Sequence, residues 1–319
     1  MTERPPKPAS QQTLQQIADR AIKKGEAARR REARLRTRQD ESVAYEPCIV
    51  SFIDVLGFRA LLRDKSALDI YRILTNLRYF TSPRPERESR RMKDVRLHSR
   101  AFSDSVSDAV VRVRVYDTQY RDGAFFHELL DLVHAQIECV NAGVLIRAGV
   151  AVGQVHVGLD GKGPVFGPAM VRAFEIESEE AIYPRIVVDD AAYQAFLDDE
   201  RLRSEDNDID DEKRYVERLM RTGEDGTRYL DYLRAESEFD DEVAYYLFID
   251  RHAALIRAGL AAAGSARVRR KYAWLAGYHN EVVGALVDDY EAERRSAAVF
   301  YSDWEEEPLD HLRAALVAT

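Results

Sequence analysis

A chain of 319 residues, 45% hydrophobic and 32% charged, can bury one sizeable core, and no apolar run reaches the roughly 20 residues of a membrane-spanning helix. Its net charge of −9 is uneven: residues 1–45 hold 11 Lys/Arg against 6 Asp/Glu, a net of +5, and residues 46–319 hold 36 against 50, a net of −14. The start, MTERPPKPAS, lacks the apolar centre of a secretory signal, and Cys48 and Cys139 are too few for a disulfide framework, so a cytoplasmic protein with two small buried thiols is expected.

Residues 1–45 read as a basic arm, partly helical or disordered, because AIKKGEAARRREARLRTRQ has helix formers but only a thin apolar stripe at Leu14, Ile17 and Ala21. It lacks interleaved aromatics for base stacking, so a solvated helix is expected there and nucleic-acid contact is not. A core follows over 46–195. Ile49, Val50, Phe52 and Ile53 read as a buried strand with Asp54 near its end, where a carboxylate is costly to bury unpaired. Leu56-Gly57-Phe58 leads into an apolar helical face, so the amides after Asp54 open a helix able to receive phosphate. The competing reading makes Asp54 the N-cap of an ordinary strand-to-helix turn.

Ser66 to Asp69 reads as a capping box ahead of a packing helix through Ile70, Ile73, Leu74 and Leu77. The segment TSPRPERESRRMK, from Thr81 to Lys93, predicts a mobile surface loop. Two alternating runs then meet at a Ser/Asp-rich turn within Arg100–Asp108, which predicts a hairpin with Asp104 at its tip and Val111, Val113 and Val115 alternating with Arg112 and Arg114. Asp122 reads as the N-cap of a helix through Phe126, Leu129, Leu130, Val133, Ile137 and Val140, ended by Gly143. Val144 to Gly158 predicts two strands bending or turning around Gly153, and the GKG at 161–163 lacks Walker spacing and reads as a hairpin tip. A helix over Gly167–Ser178 leads to PRIVVDD, a short strand and helix start.

Residues 196–319 read as an extension of the same domain. LDDERLRSEDNDIDDEKR does not match an EF-hand loop and predicts a solvated acidic loop. Arg228–Leu233 reads as a strand, and two long helices follow over about 240–263 and 266–290, the second burying Trp274, Leu275 and Tyr278 with His279 and Asn280 at a polar edge. The order β-α-β-β-α-β predicts an α+β, ferredoxin-like core with a C-terminal helical extension.

Phe52-x-Asp54-x-x-Gly57-Phe58, the hairpin aspartate, Arg147-Ala148-Gly149-Val150-Ala151-Val152-Gly153 and the Gly167–Ser178 helix together resemble the class III nucleotidyl cyclases over about residues 47–190. The resemblance implies attack of a ribose 3′-hydroxyl on the α-phosphorus with pyrophosphate leaving. It also implies two Mg²⁺ or Mn²⁺ ions per site, held by Asp54, Asp104 and the carbonyl of Val55, with Arg147 on the triphosphate and Leu56, Gly57 and Phe58 beside the phosphates. Asp54, Asp104 and Arg147 are then the catalytic set, in a head-to-tail homodimer with sites between subunits.

The match departs from that family at several points. Val171 and Glu175 stand where the family places its ribose-orienting asparagine and transition-state arginine, with Arg172 adjacent as a substitute. Arg100 replaces the purine-selecting lysine or glutamate, and Pro164 falls near the partner aspartate of the adenylate enzymes. This pattern and the KYAWLAGYHNEV helix resemble the stand-alone bacterial pyrimidine cyclases of antiphage signalling. That implies conversion of UTP, or CTP, into a 3′,5′-cyclic nucleotide such as cUMP, a messenger in antiviral defence read by a separate effector protein. A guanidinium carries donors only and suits the acceptors of uracil or cytosine. An adenylate cyclase and a non-catalytic nucleotide-binding dimer are the alternatives, and two retained carboxylates favour an enzyme.

Overall fold

The computed structural model describes residues 43–82, 100–106, 108–118, 120–158, 164–297 and 307–318. Residues 1–42 of the basic arm, most of the Thr81–Lys93 segment and the GKG at 161–163 lie outside the described residues.

Strand β1 (Glu46–Val55) is central because both its faces are apolar: Cys48, Ile49, Val50 and Ile53 are all fully buried. Helices α1 (Phe58–Asp64) and α2 (Ala67–Thr81) follow, and the capping box of Ser66 and Asp69 forms at the start of α2. The hairpin β2 (Arg100–Val106) and β3 (Ala109–Val115), helix α3 (Ala124–Asn141) and strand β4 (Ile146–Val155) complete the first half. Both β3 and β4 pair antiparallel with β1, giving the order β2-β3-β1-β4 expected of a ferredoxin-like core. Helix α4 (Pro168–Glu175) runs into one π-helical turn (Ile176–Glu180) and returns the chain to β5 (Ile186–Val188), parallel to β4. Helices α5 (Asp190–Asp198) and α6 (Ile209–Arg218) precede the hairpin β6 (Met220–Thr222) and β7 (Arg228–Leu230), which lengthens the sheet to seven strands. Helices α7 (Glu242–Ala261), α8 (Ala266–Ala297) and α9 (Glu307–Ala315) close the chain. None of the described helices is long and apolar enough to cross a membrane.

Three local expectations are corrected. The acidic segment is helical from Ile209, because Asp208 caps it by accepting from the Asp210 amide at 2.8 Å, and Val216 and Glu212 are buried. Gly123, with φ 72°, precedes α3 as its N-cap, while Asp122 bridges to Ser204. Strand β4 runs straight through Gly153, which pairs with Cys48, so there is one strand where two were expected.

The two faces of the sheet are covered differently. One continuous core, from Ile49 through the α3 face to Val283 and Val317, joins the C-terminal helices to the sheet. Within it Arg112 and Arg114, which strand alternation turns toward α3, donate to opposite oxygens of buried Glu128 at 2.7 Å each, and both reach Asp131. Ser51 donates to the same Glu128 and Arg112 to the Thr81 carbonyl, so the network is closed by hydrogen bonds on every side. The other face holds a smaller core of Val50, Val113, Ala151, Ala169, Ala173 and Ile176 beneath α4.

A buried relay ties down the C-terminus. The Tyr232 hydroxyl lies 2.7 Å from Nε2 of His252, whose Nδ1 lies 2.9 Å from Nδ1 of His279, and Nε2 of His279 lies 3.1 Å from the Ala315 carbonyl. One assignment satisfies every group: His279 donates to Ala315, His252 donates to His279, and Tyr232 donates to His252, with both rings neutral. Asn280 holds Val317 from both sides and Arg257 donates to the Ala314 and Leu316 carbonyls. Burial lowers the pKa of both histidines, that of His252 well below the usual range. The unfolded chain therefore takes up protons that the folded chain refuses, and this stability is full above about pH 6.5 and is lost as pH falls below it. Urea unfolding should show a loss of about 1.4 kcal/mol per pH unit per histidine well below pH 6.5. The His252→Phe variant should show a shallower slope than the wild type.

Candidate active site

The site stands at the C-terminal end of β1. Asp54 pairs across the β1–β4 ladder with Arg147, which sets their side chains on the same face, the one that α4 covers. Arg147 donates to Oδ2 of Asp54 from Nη2 at 3.1 Å and from Nε at 3.3 Å. From the π-helical turn Glu177 brings Oε1 to 2.7 Å from Nη2 of Arg147, and its carbonyl accepts from Nη1 at 3.3 Å. The pair is about one-fifth exposed, at 20% for Arg147 and 22% for Asp54, whereas Glu177 is buried.

The β4 glycines let Glu177 come so close. A Cβ on Gly149 would stand 2.3 Å from the Ala173 carbonyl, 2.6 Å from Cβ of Ile176 and 2.8 Å from the Glu177 amide, and one on Gly153 would press on Ala169 at 3.2 Å. Small residues on both sides thus seat α4 and its π-helical turn directly on the strand. The Arg147-x-Gly149-x-x-x-Gly153 spacing is a packing requirement that also delivers an acid to an arginine.

The acids crowd one another. Burial raises the pKa of Asp54 against the pull of Arg147, and the nearby carboxyl of Asp108 raises it further through charge and a side-chain hydrogen bond. Burial, then the charge and hydrogen bonding of Asp54, push Glu177 up to about 7 despite Arg147. Lys271 of α8 lies within electrostatic reach of this group: burial and the charges of Arg147 and Arg267 lower its ammonium below the usual lysine range, while Asp54 and Glu177 act the other way.

Other expected site residues fall in varied places. Val106 pairs with Ala109 and Asp108 stands in the turn, so Asp108 is at the hairpin tip expected for Asp104. The backbone of Asp104 pairs with Val111 inside the ladder, opposite Phe52 and two residues short of Asp54, because antiparallel backbone pairing carries on through the Ser/Asp-rich run; its side chain lies outside the described residues. The structure also excludes the capping reading of Asp54, since Gly57, with φ 78° and ψ 22°, is the N-cap and no side chain caps α1. The Leu56 amide is held by the Leu145 carbonyl at 2.8 Å and those of Ala60 and Leu61 by the Gly57 carbonyl, so the amides that the helix start leaves over are those of Phe58 and Arg59. Val55 pairs with Ile146 and its side chain is buried and apolar, so any donor it offers is on its backbone.

Arg172 is held elsewhere, by Asp189 through two 3.1 Å hydrogen bonds and by Glu180 at 2.9 Å. Val171 is 57% exposed, Glu175 is exposed and Pro164 is exposed. Arg100 opens β2 opposite Val115, level with Cys48, and six residues of β1 set it about 20 Å along the strand from Asp54; its side chain lies outside the described residues. Asp108, Glu177 and Lys271 were not singled out in the sequence. The Ser107-Asp108-Ala109 turn was a readable signal for the first, whereas Glu177 and Lys271 arrive through packing alone.

Among the described residues no group of three or more His, Cys, Asp or Glu side chains converges as a metal site. The donors present, Asp54 and Asp108 with carboxyl oxygens only, are hard oxygens crowded by like charge, which fits Mg²⁺ or Mn²⁺ held with water and substrate oxygens.

No protein-family model and no curated protein matches the chain. Among solved structures it is similar to the guanylyl cyclase Cya2, at 14% identity over 48% of this chain and 80% of that one, with a TM-score of 0.37. It is similar to the monomeric guanylyl cyclase domain of the RhoGC fusion protein from the aquatic fungus Blastocladiella emersonii, at 15% identity over 59% of this chain and 98% of that one, with a TM-score of 0.38. A bacterial light-regulated adenylyl cyclase is similar at 16% identity over 48% of this chain and 80% of that one, with a TM-score of 0.32.

Replacing Gly149 by Ala should force α4 off β4. A destabilisation of about 3 kcal/mol is expected from overpacking at a site with backbone on the far side. The urea unfolding midpoint of Gly149→Ala against wild type measures it.

Proposed function

We propose that the protein is a nucleotidyl cyclase that converts a pyrimidine triphosphate, UTP before CTP, into the 3′,5′-cyclic nucleotide and pyrophosphate, in the service of antiviral signalling. The observation that carries the chemistry is Arg147 held between Asp54 and Glu177 at one strand end, with the carboxyl of Asp108 beside Asp54. Asp54 and Asp108 would hold the divalent cations, with the Val55 carbonyl and Asp104 as further oxygen donors. Bound there, such cations supply Lewis-acid charge to the phosphates and to the attacking 3′-oxygen. Arg147 stabilises charge that develops on the phosphate oxygens, and its planar fork is kept in place by Asp54 and Glu177. Crowding of Asp54 by Asp108 is relieved when a cation arrives, so the energy of their mutual repulsion in the free protein favours metal binding.

The base reading rests on the residue type at Arg100: a guanidinium carries donors only, which suits the acceptors of uracil or cytosine. About 20 Å separates it from Asp54 along the strand, so Arg100 serves the site of a second subunit. A homodimer is supported by apolar surface on α4: Val171 and Phe174, three residues apart on one helix face, are 57% and 49% exposed beside Phe52, whose ring meets that of Phe174 edge-on at 5.2 Å. A second copy covers this surface and gives each site its base-binding residue.

Incubation with the four ribonucleoside triphosphates and Mn²⁺, with products identified by mass spectrometry, should yield cUMP above cCMP and little purine product. ATP turnover equal to UTP turnover would remove the pyrimidine assignment. Asp54→Asn and Asp108→Asn should each lower kcat by at least about 100-fold while leaving the unfolding midpoint within a few tenths of a molar, because loss of a metal ligand removes charge stabilisation from the transition state. Full activity in Asp108→Asn, with loss in Asp104→Asn, would return the metal to Asp104. In light scattering the wild type should have the dimer mass and Phe174→Glu the monomer mass.

A further inference from the structure

Residues 307–318 are held as a unit by two helices. Leu309, Leu312 and Ala315, three apart along α9, are buried together with Val317 just beyond it, and α9 packs on α7 and α8. The side chains of those helices take hold of its main chain. Arg257 donates to the carbonyls of Ala314 at 2.7 Å and Leu316 at 3.0 Å, while Asn280 accepts from the Val317 amide at 2.9 Å and donates to its carbonyl at 2.7 Å. A groove that receives a helical peptide works in this way, with apolar seats for one helix face and donors for the exposed carbonyls at its end. A helix of nine residues does not hold its own turns in water, so α9 is helical because it is docked. Residues 307–318 enter no strand ladder, and their release leaves the hydrogen bonds of the sheet intact.

The docked segment also seals a histidine. His279 is fully buried, with Nε2 donating to the Ala315 carbonyl at 3.1 Å and Nδ1 standing 2.9 Å from that of His252. Around it are His252, Arg257 and Asp250 of α7 and the Ala315 carbonyl of α9, with Tyr232 behind His252. A proton added to His279 would set a cation near Arg257, in a site whose carboxylate, Asp250, is engaged by His311 at 2.9 Å. Docking therefore favours the neutral ring, whereas departure of Ala315 opens Nε2 to water, where the ring is protonated below about pH 6.5. His311 acts in the opposite sense, since its charged form pairs with Asp250, but both side chains are more than a third exposed and such a pair is weak.

We propose that residues 307–318 are a proton-released strap over a peptide-docking groove between α7 and α8. The strap leaves the folded protein as His279 becomes charged, and the vacated groove takes a peptide of the same pattern, a short helix with apolar residues three apart followed by an extended residue. One proton enters per opening, so below about pH 6.5 the open population rises about tenfold per pH unit. Neither property depends on nucleotide chemistry.

Hydrogen exchange of the full chain, read by mass spectrometry and corrected for the intrinsic effect of pH on exchange, measures the opening. Below about pH 6.5 the amides from Leu312 to Val317 should lose protection about tenfold per pH unit, while those of β1 and β4 remain protected. His279→Gln, whose side-chain amide still donates to Ala315, should keep the strap docked and lose the pH dependence. Leu312→Ser, with Val317→Ser as a milder second case, should lose strap protection at neutral pH and keep that of β1 and β4. Either variant should bind a labelled peptide of residues 307–318 at least about 10-fold more tightly than the wild type, whose own segment fills the groove. Exchange of the strap at the same rate as β1 and β4 at every pH would show one cooperative unit and overturn the strap. Strap protection that ignores pH, or a pH dependence that persists in His279→Gln, would overturn its release by a proton. Variants that lose strap protection yet do not bind the peptide would overturn the groove.

Discussion

The cross-strand pair of Asp54 and Arg147 is the interaction on which the site depends. A carboxylate at the end of an apolar strand is raised by burial, and it is the guanidinium directly opposite, at 3.1 Å, that works against the rise. Register makes this pairing obligatory: a slip of one residue between β1 and β4 would send the two side chains to opposite faces. That register is in turn held by ten paired positions from Glu46–Val155 to Val55–Ile146, most of them apolar and buried. The electrostatics of the site are therefore anchored in the packing of the core.

The division of labour between the two sheet faces follows from strand alternation. On one face Arg112 and Arg114 turn inward, where their charges would be prohibitive without Glu128 and Asp131; breaking such a closed network by removing one partner costs about 3–5 kcal/mol. This side is backed by α3 and the C-terminal helices, and the opposite face is left to α4. There the cover is thin, since α4 presents Ala169 and Ala173 to the strands and leaves Val171 and Phe174 outward. Small residues at the contact bring the π-helical turn close enough for Glu177 to reach Arg147.

The C-terminal helices belong to the same core and link the chain end to the site. His252, His279 and Asn280 hold Ala315 and Val317, while Trp274 one turn earlier on α8 packs over Arg185 and Tyr229. Lys271 lies at the head of that face.

Hydrophobic periodicity and turn residues determined a good deal on their own. The ferredoxin-like order, the capping box at Ser66, the strand that carries Asp54, the strand–helix block containing Arg147, Gly149 and Gly153, and the two long C-terminal helices were all legible, because each depends on contacts within a few residues or on a period of two or 3.6. Tertiary structure decided what depends on partners distant in sequence. Asp108 took the hairpin tip because β2 kept pairing through Val106, Arg172 was claimed by Asp189, and Glu177 reached Arg147 from another element of the fold. Local pattern sets which face a residue occupies, but the charge that stands opposite is set by register and by helix seating, and these are properties of the whole packed sheet.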